Sequence, residues 1–140
     1  MRLWDLRTGQ CMRVMEGHAG AVGSVSMDSA CKTAVSGSYD ETAKLWDLGS
    51  GQCIETFHHG LIVYDVMMHE SGSSFLSVGG GDVKAWATAS GPDWPLLDAD
   101  LSALCDPNEY FFGAASRDLS RVGVCYWNPD GDKIGLSVWR

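Results

Sequence analysis

Leu3-Trp4-Asp5-Leu6-Arg7-Thr8-Gly9-Gln10-Cys11 returns 42 residues later as Leu45-Trp46-Asp47-Leu48-Gly49-Ser50-Gly51-Gln52-Cys53. An apolar-indole-acid start, a Gly-containing turn and a Gln-Cys restart recur in the same order, which chance does not produce. Outward from this pair, tryptophans stand at Trp4, Trp46, Trp86 and Trp127, at intervals of 40–42 residues. Self-similarity at such a period marks a repeat architecture, in which each unit buries its apolar face only against its neighbours.

The segment between the two copies reads as one complete unit. Gly17-His18 precedes Val22 to Met27, whose alternation predicts an inner strand. Thr33 to Gly37 follows as a second strand, Ser38-Tyr39-Asp40-Glu41 as a turn, Thr42 to Asp47 as a third strand and Gln52 to Phe57 as an outer fourth. A further copy is expected at Leu61 to Met68, Ser74 to Val78, Val83 to Trp86 and Trp94 to Leu97, with Gly79-Gly80-Gly81-Asp82 replacing Gly37-Ser38-Tyr39-Asp40. A last copy is expected at Ser102 to Cys105, Tyr110 to Ala114, Val122 to Trp127 and Lys133 to Trp139, with Asp118 in the turn. In a second register for this tail, Cys125-Tyr126-Trp127-Asn128-Pro129-Asp130-Gly131 forms the hairpin between a unit's first two strands; the spacing after Asp118 favours the first. No segment carries sustained helical periodicity.

The Gly17-His18 and Trp46-Asp47 pairs at this period resemble the WD-repeat family. The resemblance implies an all-β fold: a partial β-propeller of about three and a half blades of four antiparallel strands. Residues 1–15 would form a half blade, 16–57 and 58–97 two blades, and 98–140 a degenerate blade. Propellers typically close with 4–8 whole blades. The strand count therefore predicts a fragment, or the product of a truncated gene, whose remaining blades come from the same longer polypeptide. In the family a histidine, a serine, an aspartate and the tryptophan of a blade form a buried hydrogen-bonded set. By position these are His18, Ser36, Asp40 and Trp46. Val78 and Ala114 stand where Ser36 stands, and His59 is the third copy's histidine in reversed order with Gly60. The later blades are thus expected to rest more on apolar packing than on polar networks.

Charge and composition narrow the function. Ten Lys and Arg oppose 18 Asp and Glu, a net charge of −8, which disfavours phosphate neutralisation as a binding mode. Hydrophobic residues make up 45%, enough for a packed core, yet no apolar run is longer than the four residues Leu61 to Tyr64, far short of a membrane span. With no apolar leader at Met1 to Asp5, the expectation is a soluble intracellular protein with no membrane partner. Five cysteines without a CxxC pair predict buried, reduced thiols. No Lys or Arg occurs from Ala85 to Ser116, where Asp93, Asp98, Asp100, Asp106 and Glu109 form either a solvated rim or a docking edge for a basic partner.

Catalytic chemistry finds little support. No Gly-x-Ser-x-Gly elbow is present, and His18 already has a structural place. The Gly79-Gly80-Gly81 run lacks the lysine of a phosphate loop. His58, His59 and His69 read as solvated loop histidines rather than metal ligands. The expectation is no enzyme, no catalytic residue, no metal and no cofactor. Tyr39, Glu41, His58 and Arg117, in turns expected on one propeller face, are the candidates for partner contact.

A narrower likeness runs from Gly37-Ser38-Tyr39-Asp40-Glu41-Thr42-Ala43-Lys44-Leu45-Trp46-Asp47 through His59-Gly60, Ser71-Gly72 and Gly79-Gly80 to Val83-Lys84-Ala85-Trp86. Over roughly residues 1–90 it resembles the WD-repeat subunits of the small-subunit processome, the nucleolar particle that matures pre-18S ribosomal RNA. The chain departs at Ile62 and Tyr64, where that family tends to carry Pro and Glu. The resemblance implies a non-enzymatic scaffold in ribosome biogenesis, in the nucleus and nucleolus, that holds other assembly factors on the pre-rRNA; the acidic charge fits basic assembly proteins as its partners and only an indirect association with pre-rRNA. The generic repeat alone implies another adaptor, such as a ubiquitin-ligase substrate receptor or signalling scaffold, with the cytoplasm as an alternative location.

Overall fold

The computed structural model describes residues 1–80 and 82–88 in full and the strands at 110–115, 122–127 and 134–139 by their backbone. All regular structure among these residues is β, and no helix is long and apolar enough to cross a membrane. The chain runs through β1 (Arg2–Asp5), β2 (Gln10–Val14), β3 (Val22–Met27), β4 (Thr33–Ser38), β5 (Thr42–Asp47), β6 (Cys53–His58), β7 (Asp65–Met68), β8 (Ser74–Gly79), β9 (Asp82–Ala87), β10 (Tyr110–Ala115), β11 (Val122–Trp127) and β12 (Ile134–Trp139). Each strand pairs antiparallel with its sequence neighbour in four meandering sheets: β1-β2, β3-β4-β5-β6, β7-β8-β9 and β10-β11-β12. This is a partial β-propeller with separate blades. The strands expected at Trp94 to Leu97 and Ser102 to Cys105, and the turn residue Asp118, lie outside the described residues, so β10 is the innermost described strand of its sheet.

Blades pack face to face, and their period-two alternation divides the side chains between two seams. Val35, Ala43, Leu45 and Phe57 of the β3–β6 blade meet Val63, Val66, Met68 and Phe75 of the next, with Trp86 against the cluster. On the opposite face, Ala34, Trp46 and Leu48 meet Met15, Met1 and Leu3 of the β1–β2 pair. Arg13 ties that pair down, donating from Nε (3.0 Å) and Nη2 (2.6 Å) to the Gly49 carbonyl. Serines close the first seam near the inner strands: Ser24 Oγ donates to Asp65 Oδ1 (2.5 Å), and Ser26 Oγ accepts from the Met68 amide (3.0 Å).

Two expectations are corrected. The third copy's first strand covers only Asp65–Met68, because Leu61 to Tyr64 is spent crossing between blades. The Val63 amide bonds the Ser38 carbonyl of one blade (3.0 Å) and the Tyr64 amide bonds the Val78 carbonyl of the next (2.9 Å). The crossing presses so close that a Cβ at Gly37 would lie 2.5 Å from Val63 Cγ1. The second correction concerns the thiols: Cys11, Cys31 and Cys53 are free but exposed. Cys11 and Cys53 occupy the outer strands β2 and β6.

Candidate functional site

The β3–β6 blade brings its four expected residues together. His18 Nδ1 lies 2.8 Å from Asp40 Oδ2, His18 Nε2 lies 2.8 Å from Ser36 Oγ, and Trp46 Nε1 donates to the same Ser36 Oγ at 2.8 Å. The indole N–H donates to Ser36 Oγ, which also meets His18 Nε2, and the other ring nitrogen donates to the Asp40 carboxylate. Asp40 further accepts from the Ala19 amide (2.9 Å) and from Thr42 Oγ1 (2.7 Å) and the Thr42 amide (3.1 Å). Burial by itself would raise the Asp40 pKa, but the hydrogen bonds from Thr42, His18 and Ala19 outweigh it and hold the carboxyl well below the usual carboxylate range.

Ser36, His18 and Asp40 thus resemble a hydrolase triad in composition but not in access. Ser36 is fully buried and its oxygen is bound by the indole of Trp46. A nucleophile must reach substrate; this serine instead ties strand β4 to β5 and to the Gly17-His18 loop.

The next blade retains more of the set than the sequence suggested. Ser77, not Val78, takes the place of Ser36. Trp86 Nε1 donates to Ser77 Oγ (2.7 Å), and Ser77 Oγ lies 2.8 Å from Nδ1 of His59. His59 is buried, contrary to its reading as a solvated histidine, and its Nε2–H donates to the Gly79 carbonyl (3.3 Å). The ring is therefore turned relative to His18, presenting Nδ1 rather than Nε2 to its serine. Burial lowers the His59 pKa below its ordinary value of 6.5, with the Lys84 charge adding to that and Gly79 and Asp82 opposing it.

The aspartate is what this blade loses. Gly37 pairs with Ala43, leaving a five-residue connection that holds Asp40, whereas Gly79 pairs directly with Asp82 and leaves room for two residues only. Asp82 is thereby drawn into strand β9, where it faces Lys84 at 3.5 Å instead of the histidine. Lys84 Nζ donates to the His59 carbonyl (2.6 Å), so a main-chain contact replaces the carboxylate-imidazole bond. The sequence did hold the signal for Ser77. Histidine and serine are 18 residues apart in both blades, while the register set on the turn glycines is displaced by the shorter hairpin.

Ser77→Ala should remove an acceptor from Trp86 and a donor from His59, both in or near the core. The expected loss is about 1–2 kcal/mol by urea unfolding. A change within error would show that water or a neighbouring group satisfies both.

The two blades also predict an acid response in two stages. Because folded His59 has a depressed pKa, below about pH 6.5 the unfolded chain binds a proton that the folded chain does not, and stability falls as pH drops. Folded Asp40 stays ionised where the unfolded carboxyl protonates, so its contribution is present above about pH 3.8 and is lost as pH falls towards its own lower pKa. Melting temperatures between pH 8 and pH 3 should decline in both windows, and His59→Gln should abolish only the first.

Around this frame stand the partner-face candidates. Tyr39 and Glu41 occupy the β4–β5 turn, and His58 pairs with Thr42 at the same end of the sheet; all three are exposed. The Tyr39 ring meets Tyr64 edge-on at 5.7 Å. Glu41, at φ 66°, offers its carbonyl to the amides of His59 (3.0 Å) and Gly60 (3.3 Å), which ties the turn to the next blade. Arg117 lies outside the described residues. Among the described residues no group of three or more His, Cys, Asp or Glu could hold a metal ion.

Comparison with known proteins agrees with this geometry. The WD40 family model (WD domain, G-beta repeat) matches residues 9–47. The chain is 35% identical over 95 residues to "U3 small nucleolar RNA-associated protein 15" of Schizosaccharomyces pombe, a match that takes in 68% of this chain and 19% of that protein. It thus spans about a fifth of that relative's length. Among solved structures, the β-propeller domain of Myceliophteria thermophila Cps50 (Swd1) superposes with a TM-score of 0.70 at 17% identity, over 88% of this chain and 40% of that one. At that identity the likeness is one of fold.

Proposed function

From the premise that this chain is a segment of a WD-repeat β-propeller, we propose that it is a non-enzymatic scaffold for protein-protein contacts in ribosome biogenesis, within the small-subunit processome that acts on pre-18S rRNA. The observation that carries this reading is the 35% identity over 95 residues to a U3 small nucleolar RNA-associated protein. It is supported by a frame whose hydrogen-bonding residues are engaged in holding strands and loops. Rigid elements lower the ordering cost of binding, and here the exposed Tyr39 and Glu41 stand on a turn tied to the next blade, with His58 beside them at the end of β6. The net charge of −8 suits basic assembly proteins as partners and an indirect association with pre-rRNA. The corresponding location is the nucleolus.

Affinity purification of the tagged full-length gene product tests this. Recovery of pre-ribosomal assembly factors, lost on a Tyr39→Ala/Glu41→Lys double change that leaves the melting temperature intact, is the expected result. Recovery of ubiquitin-ligase or kinase components instead would replace the ribosomal reading with that of a different adaptor.

A further inference from the structure

Two turns from adjacent blades meet at the opposite strand ends from Tyr39 and Glu41: Asp28 to Lys32, joining β3 to β4, and His69 to Ser73, joining β7 to β8. The Ser29 amide (2.9 Å) and hydroxyl (2.8 Å) both donate to the Glu70 carbonyl, which holds the turns together. Between them lies a cleft of about 340 Å³ lined by Met27, Asp28, Ser29, Cys31, Met68 and Glu70. Its carboxylates are unequally covered: Glu70 is exposed, whereas Asp28 is 6% exposed. Asp28 Oδ1 accepts from the amides of Lys32 (2.8 Å) and Thr33 (3.3 Å), which fixes the side chain. Asp28 Oδ2 receives no hydrogen bond from the described residues, yet it is not sealed off as the Thr33 hydroxyl beside it is. Gly72, at φ 73°, leaves this oxygen its space, since a Cβ there would lie 3.2 Å from it. The ion pairs among the described residues are His18–Asp40 and Lys84–Asp82, so the exposed Lys32 neutralises neither carboxylate of the cleft.

We propose that this cleft receives the side chain of an arginine carried by a partner protein, its guanidinium donating to Asp28 Oδ2 and to the Glu70 carboxylate. A nearly buried carboxylate with an open oxygen bears a desolvation cost that a cationic donor relieves. Among the described residues no three His, Cys, Asp or Glu are placed to hold a metal ion, so the fitting cation is one whose donors are spread apart. A guanidinium is such a group: its planar fork of five N–H donors can serve two carboxylates at once, which a lysine ammonium does less well. Met27 and Met68 supply thioether and methylene surface for the stem of the same side chain. The volume lies near the lower end of ligand clefts, about 300–1,000 Å³, and suits one side chain rather than a folded element. With both turns already fixed, binding orders little of this chain. The site stands at the other end of the strands from Tyr39, Glu41 and His58, so one propeller segment can hold two partners together. That the arginine arrives on an assembly protein rests on the function proposed above; the cleft and its chemistry do not.

Titrating the isotope-labelled full chain with the blocked peptide Gly-Ala-Arg-Ala-Gly, and with lysine and citrulline versions of it, tests the proposal. The amide resonances of Ser29, Cys31, Lys32 and Glu70 should shift saturably. Affinity should fall about threefold with lysine and about tenfold with citrulline, which keeps the shape but not the charge. Asp28→Asn, which retains an oxygen for the Lys32 amide, should weaken arginine-peptide binding about tenfold, and Glu70→Gln about threefold with an unchanged melting temperature. Should Asp28→Asn fail to fold, Glu70→Gln decides, because its side chain is exposed. No saturable shift, shifts spread evenly over the acidic surface, equal affinity for lysine and arginine, or binding that survives Glu70→Gln unweakened would each overturn the proposal. The ribosomal reading stands or falls separately, on the identity of the purified partners.

Discussion

Asp40→Ala should cost about 2–4 kcal/mol of unfolding free energy, while the same change at Asp82 should cost less than about 1 kcal/mol. The two aspartates look equivalent in the sequence, each following a glycine-containing turn and preceding a blade's third strand. Their surroundings differ. Asp40 receives hydrogen bonds from His18, the Ala19 amide, and the amide and hydroxyl of Thr42, and its removal strands these donors around a mostly buried site. Donors left without acceptors in a low-dielectric setting carry their full desolvation cost. Asp82 has Lys84 at 3.5 Å, and both side chains reach solvent, so its attraction is screened. Urea unfolding of the two variants side by side gives the answer; equal losses would mean that the carboxylate is not what holds the first network.

A larger effect is expected at the seam. Phe75 is fully buried, meets Phe57 of the preceding blade edge-on at 4.9 Å and lies nearly parallel to Trp86 at 6.3 Å. Phe75→Ala deletes a ring from a contact made by two blades at once, and neither sheet can move in to fill the space without breaking its own strand pairing. The expected cost is about 3–5 kcal/mol, from lost transfer free energy and the cavity left behind. Because the rings touch, Phe57→Ala should not add to it: the double variant should lose less than the sum of the two singles. Strict additivity would show that the blades are joined elsewhere, through the serine contacts of β3 and β7.

Residues 1–60 could be read closely because their units repeat without insertion. The Trp-Asp strands, the Gly17-His18 loop and the Asp40 turn fall where strand alternation and turn chemistry put them. In the later unit the serine and the aspartate were misplaced for one reason. Its hairpin between second and third strands is shorter, so counting from the turn placed Val78 in the serine's position and Asp82 in the aspartate's. Counting from the histidine finds Ser77. Exposure was less legible than position. Cysteine is commonly buried, yet Cys11 and Cys53 are on outer strands, where no neighbouring blade covers them. His59 sits in a segment that reads as loop, yet it is buried, bound through its ring to Ser77 and Gly79 of β8 and through its amide to Glu41 of the preceding blade.

By itself, the sequence determined the β architecture and the length of its unit, since strand alternation, turn residues and the recurring indoles are local properties that survive in any register of packing. Tertiary structure alone decided which serine each indole meets, which aspartate is a network member, and which apolar side chains are covered. Those outcomes depend on hairpin length and on what lies across the seam, and a side chain's environment there is set by a neighbouring sheet some forty residues away.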